Sequence, residues 1–305
     1  IFISLFIFFF FHKTNQNTPN NFFWLSKETS IIINNWFMMY FLSVVLIGTV
    51  YPIFLDVLSS QKISVGPPFY HKLIIPFLIP FLLVMTIGPK LKWIKSNLKD
   101  KVYLVSLLAL SILLSLFIVK KFDTNFLINT ILISSALYLF LTTFRDFFIK
   151  KYNNISQNVA HFGFSLLILS ILFNNLFSTE IITNLKVGET YDSPETKIVF
   201  ESIDQKQKKN YKSVVANFSV KRSNGIVENL SPELRIYNQP NIVTSEADIK
   251  TSLISDKFIV INIVKNQDYF NVRYQVKPFM LWIWMSVLLI SFAGCMSLFR
   301  KEYEK

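Results

Sequence analysis

Charge is scarce in this chain, and so are cysteine, histidine and glycine. Asp, Glu, Lys and Arg make up 16% of its 305 residues, against roughly 25% in ordinary soluble domains. That shortage excludes a water-facing surface along the whole length. One cysteine, Cys295, excludes an internal disulfide and any CxxC metal or redox pair. Only three histidines occur, His12, His71 and His161, and none has a second metal ligand close by in sequence. Glycines number 7, and no phosphate-cradling Gly-rich loop, HExxH or nucleophile elbow is formed. Carboxylates are nearly missing from the apolar runs, which argues against a pump that moves charge through this chain.

What is present is apolar. Hydrophobic residues make up 52% of the chain, with 32 phenylalanines. Heavy use of Phe, Ile, Asn and Lys is the drift expected of an A+T-rich genome, such as an organellar one. Six runs read as membrane spans: 31–50, 73–87, 102–119, 126–141, 159–177 and 279–299. Residues 1–11 form a shorter apolar stub that reads as the exit half of a truncated helix. Several runs fall short of the ~20 residues of an average span, and flanking aromatics would complete them. The start has no basic n-region and no small-residue cleavage site, so a signal peptide is not expected. It reads as one piece of a longer or split protein.

Lys and Arg number 31 against 19 Asp and Glu. The excess lies in short loops rather than on a soluble basic face, so it sets membrane orientation and does not point to nucleic acid. Lys90, Lys92, Lys95, Lys99 and Lys101 crowd one loop, and Arg145, Lys150 and Lys151 another. Lys13 with Lys27, and the tail residues Arg300, Lys301 and Lys305, belong to the same set, while the intervening loops carry less, Lys62 and Lys72 in one and Lys120 and Lys121 in another. The bias puts the richer set on the cytoplasmic or matrix side, and residues 178–278 on the periplasmic or intermembrane-space side.

Between 178 and 278 the texture changes to period-two alternation over 196–203, 213–221, 257–264 and 270–276. Asn224-Gly225 suits a tight hairpin turn. The expected fold is a multi-pass α-helical membrane protein with a small antiparallel β sandwich or barrel between the last two spans. The expected division is 1–177 for the helical region, 178–276 for the β domain, and 277–305 for the final span and basic tail.

His161 opens an apolar segment, Ala160-His161-Phe162-Gly163-Phe164. An intramembrane ionisable group marks a functional site by default. One reading is an axial bond from the neutral imidazole to haem iron; the other is an interfacial histidine hydrogen-bonded to a carbonyl. Small Ala160 and Gly163 would admit a flat group or another helix. His12 and His71 read as solvated boundary residues. The stretch Gly66-Pro67-Pro68 reads as a stiff connector, with Gly66 free to take an uncommon φ.

Several stretches in order resemble the C-terminal portion of the CcmF family, the membrane haem lyase subunit of the multi-component (system I) cytochrome c maturation pathway. They are Ser26-Lys27-Glu28 with Asn34-Asn35; Gly48, Thr49 and Pro52; Ile63-Ser64-Val65-Gly66-Pro67-Pro68; Gly88-Pro89; Ala160-His161-Phe162-Gly163; and Lys277-Pro278-Phe279 with Trp282-Ile283-Trp284, where Val276 replaces the family tyrosine. The β region matches more weakly, at Gly188, Asn210-Tyr211, Pro232 and Tyr237. The resemblance implies a haem lyase component, incomplete alone, with His161 as axial ligand of a haem b. It assigns no catalytic residue. Its implied partners are an N-terminal CcmF part carrying the Trp-rich segment, the haem chaperone CcmE, apocytochrome c, the thiol-handling subunit CcmH and membrane lipid. The implied location is the mitochondrial inner membrane, ahead of the bacterial plasma membrane. The rival reading is a non-catalytic scaffold or transporter subunit whose β domain captures a partner.

Overall fold

The computed structural model describes residues 23–59, 63–95, 101–120, 126–149, 155–223, 225–240, 242–264 and 268–299. The stub at 1–11 and His12 lie outside the described residues. Among the described residues, six helices are long and apolar enough to cross a membrane: α1 (Lys27–Ser59), α2 (Pro67–Ile87, continued by a 3-10 turn, Gly88–Lys90), α3 (Lys101–Val119), α4 (Phe126–Asp146), α5 (Ile155–Phe177) and α6 (Met280–Leu298). At 33 residues, α1 is about 50 Å long and exceeds the hydrocarbon core. Its run Leu46, Ile47, Val50, Ile53 and Phe54 is exposed, as lipid-facing side chains are. Hydroxyls inside the helices return to carbonyls a turn earlier: Thr86 to Leu82, Thr142 to Tyr138 and Thr143 to Leu139. In a bilayer no water would satisfy them, so the helix does.

The chain forms two compact units, Ile1–Ser106 and Leu107–Lys305. In the first, α1 starts at a serine cap, with Ser26 Oγ accepting the Thr29 N–H at 3.2 Å. The Lys27 N–H donates to the Lys92 carbonyl at 2.9 Å, and the Glu28 carboxylate accepts the Ile94 N–H at 2.9 and 3.0 Å. Ile94 takes φ 66, a left-handed conformation that a β-branched residue adopts at a cost. The Ser26-Lys27-Glu28 stretch therefore clasps the loop that follows α2. Further along, Phe37 and Phe41 pack on Phe81, and Tyr40 packs on Phe77 and donates to the Leu73 carbonyl. Gly48 lies so close to Tyr70 that an added Cβ would meet its hydroxyl at 2.6 Å. Gly66 differs from expectation. It sits at φ −100, ψ 178, extended backbone open to any residue, and the two prolines simply begin α2, where a missing N–H costs nothing.

In the second unit, α4 is buried through consecutive residues 132–139. Between α5 and α6 the described residues make ten antiparallel strands in two sheets. One sheet has the order β1 (Thr179–Leu185), β10 (Phe270–Pro278), β9 (Ser255–Ile263), β8 (Asp248–Thr251). The other runs β2 (Thr190–Asp192), β3 (Thr196–Gln207), β4 (Tyr211–Arg222), β6 (Glu233–Tyr237), β7 (Ile242–Glu246), with β5 (Val227–Leu230) also paired to β4. The alternating residues face inward as their pattern requires: Ile198 and Phe200 from β3, Ala216, Phe218 and Val220 from β4, Ile259 and Ile261 from β9, Val272, Tyr274 and Val276 from β10. Phe200 stacks on Phe218 with centroids 4.4 Å apart and meets Phe270 of the other sheet at 5.8 Å. A partly buried ion pair, Lys257 with Glu228, also joins the sheets. The fold is a β sandwich rather than a closed barrel. Gly225 has φ 79, as a turn glycine there requires; Asn224 lies outside the described residues.

Candidate functional site

The site is built on α5, which is held on two sides. Toward α4, Phe162 meets Phe140, Phe147 and Phe144 at centroid distances of 5.1, 5.7 and 6.4 Å. Buried Asn158 donates its Nδ2–H to the Asp146 carbonyl at 3.4 Å. Toward α6, a Cβ added to Gly163 would lie 3.0 Å from Ile290 Cγ1 and 3.3 Å from both the Ile290 nitrogen and Leu289 Cβ. This glycine lets two helices approach closely, the role small residues play in membrane packing. Ser156 Oγ donates to the Ala293 carbonyl at 2.7 Å, and Asn174 Nδ2 to the Pro278 carbonyl at 2.6 Å. Of the two occupants the sequence allows beside Gly163, a helix is the one present.

His161 leaves α5 in another direction. At about 100° per residue it lies about 200° around the helix from Gly163 and 100° from Phe162. Its partly buried side chain thus starts from a different side of the helix than Gly163 and Phe162. Gln157, Phe164 and Ile168, at spacings of four, three and seven, share its face. A face with one imidazole above aromatic and aliphatic surface fits a flat, apolar macrocycle held by a single axial nitrogen. Among the described residues, no three His, Cys, Asp or Glu side chains converge on a metal-sized site, so His161 is not joined to such a cluster. His71 is exposed in the first turn of α2.

At the other end of α5 the sandwich joins α6 through one unusual residue. Phe279 sits at φ 60, ψ 14, turning β10 directly into α6. Its N–H donates to the Ile254 carbonyl at 2.8 Å, and its ring packs on Phe173 at 5.5 Å. Trp282 Nε1–H donates to the Leu253 carbonyl at 2.9 Å. Pro278, Phe279 and Trp282 therefore build the joint between the β sandwich and the last span. Sequence reasoning passed over Ser156, Asn158 and Asn174, although polar side chains in apolar runs are the signal that marks interhelical contacts.

Fold and site together define a multi-pass helical membrane protein carrying an extramembrane-type β sandwich before its last span. Residues 176–278 match the family described as the CcmF C-terminal beta-sandwich. The chain is similar to the cytochrome c-type biogenesis protein CcmF of Pseudomonas fluorescens, 28% identical over 297 residues, covering 92% of this chain and 44% of that protein. The CcmF of Escherichia coli strain K12 is 25% identical over 303 residues, covering 96% and 46%. A solved structure of the cytochrome c heme lyase CcmF shares the fold with TM-score 0.70 at 19% identity, covering 91% of this chain and 46% of that one. The chain is similar to the C-terminal portion of CcmF proteins, and it spans about half the length of the relatives it matches.

Proposed function

We propose that this chain is the C-terminal part of a cytochrome c haem lyase, holding a haem b through His161 and working with a polypeptide equivalent to the N-terminal half of CcmF. Similarity in order along nearly the whole chain to the second half of cytochrome c-type biogenesis proteins carries this reading. The fit of the His161 face to a macrocycle supports it. In this reading His161 would hold the haem with Phe164 and Ile168 beside it, and the packing of Phe162 and Gly163 fixes the rotation of α5 that orients the imidazole. The haem would supply one-electron transfer toward the iron of a second haem bound for apocytochrome c. The positive loops lie on the matrix or cytoplasmic side, and the sandwich on the opposite side, where CcmE, CcmH and apocytochrome c are met. The mitochondrial inner membrane is the favoured location.

His161→Ala is expected to remove the b-type absorbance from the purified assembly and to abolish cytochrome c maturation, while the partner polypeptides still co-purify. Full b-type absorbance in an assembled His161→Ala complex overturns the ligand assignment. A wild-type assembly with no haem spectrum would instead favour the scaffold reading.

A further inference from the structure

The β8–β9 turn has the wrong chemistry for water. Thr251 pairs with Asp256, and Ser252 closes the turn: its N–H and Oγ donate to the Ser255 carbonyl at 3.1 and 2.7 Å, and its Oγ accepts the Ser255 N–H at 3.1 Å. The two residues left at the tip are Leu253 and Ile254, each 71% exposed. Tight turns favour Gly, Asn, Asp, Ser and Pro, and two aliphatic side chains at such a tip gain nothing in water.

The depth of that tip is fixed. The Ile254 carbonyl is bonded to the Phe279 N–H and the Leu253 carbonyl to Trp282 Nε1, so the turn is fastened to the first turn of α6. With 19 residues, α6 is about 28 Å long, close to the ~30 Å of a bilayer's hydrocarbon core. Its first turn must therefore stand at one edge of that core. Trp282 lies in this turn and Trp284 directly after it, at the level where indoles settle among headgroups. Leu253 and Ile254 at the tip carry no charge, and exposed apolar side chains of α6, Leu288 and Phe292 among them, follow further along the span.

We propose that Leu253 and Ile254 insert into the interfacial layer of the host bilayer, so that the sandwich is seated on the membrane at a second point besides its chain connections. The occupant is bilayer lipid, not a protein partner. This seating fixes the tilt of the sandwich and is independent of whether His161 binds haem.

The test uses the full chain in phosphatidylcholine nanodiscs, with Cys295→Ser and a single environment-sensitive fluorophore on Leu253→Cys. A second sample carries the label on Lys208→Cys, in the exposed turn between β3 and β4. Leu253-site emission is expected to be blue-shifted, quenched by spin-labelled phospholipid, and several-fold less sensitive to aqueous iodide than the Lys208 site. Equal iodide quenching at both sites overturns the proposal. So does shielding from iodide without quenching by spin-labelled lipid, which would mean that protein covers the turn.

Discussion

At the scale of single residues, the β sandwich holds one group that its fold does not need. Tyr274 is 2% exposed in the core, and its hydroxyl has no hydrogen-bond partner among the described residues. Burial pushes its pKa up, because an anion there would be poorly solvated. A buried hydroxyl left unbonded costs about 1–3 kcal/mol. Tyr274→Phe keeps the ring and removes that cost, so it is expected to raise the thermal midpoint of the sandwich by a few degrees, read by circular dichroism. A lower midpoint would show that the hydroxyl is bonded in solution.

At the scale of elements, the seam between α5 and α6 has the least room for change. The space beside Gly163 is filled by Leu289 and Ile290, so a branched side chain must force the helices apart. Gly163→Val is expected to destabilise the helical region by about 1–3 kcal/mol through overpacking, seen as a lower melting temperature in detergent. Because the rotation of α5 sets the direction of His161, the same variant is expected to alter the haem spectrum of the assembly. Gly163→Ala adds one methyl at 3.0 Å and should show a smaller effect of the same sign. Equal stability of Gly163→Val and wild type would mean that the two helices separate more freely than their packing implies.

At the scale of the whole molecule, acid is expected to loosen the sandwich while the charge-poor spans respond less. Hydrogen bonds from Arg273 and Gln275 hold Glu180 below the usual carboxylate range and tie β1 to β10. Burial would raise Glu233, but the Ser213 hydroxyl and the Arg235 guanidinium outweigh it and hold its pKa low. A carboxylate depressed in the folded state stabilises above its unfolded value, near 4.5 for both. That stability disappears as pH falls through the folded value. Thermal melts of the sandwich should therefore stay level from neutral pH to about pH 5 and drop below it, and Glu180→Gln should make the drop shallower. An unchanged pH slope in that variant would show that the Arg273 pair contributes nothing to the balance.

The sequence by itself determined the membrane class, the positions of the six long helices and the four long strands β3, β4, β9 and β10. Each of these carries its own periodicity: an apolar run long enough to replace backbone hydration with internal bonds, or a strict alternation that can bury only one face. It also singled out His161, because an imidazole in an apolar run is conspicuous before any fold is known. The short strands β1, β2 and β5–β8 were not legible, since three to seven residues carry too little pattern and form only against a neighbour already in place. The tertiary structure alone decided that Gly163 receives a helix, that Gly66 needs no special conformation, that Glu28 holds the backbone of Ile94, and that the Leu253–Ile254 turn is fastened to Trp282. Those are relations between residues tens of positions apart, and distance in space, unlike hydropathy, is written in no single residue.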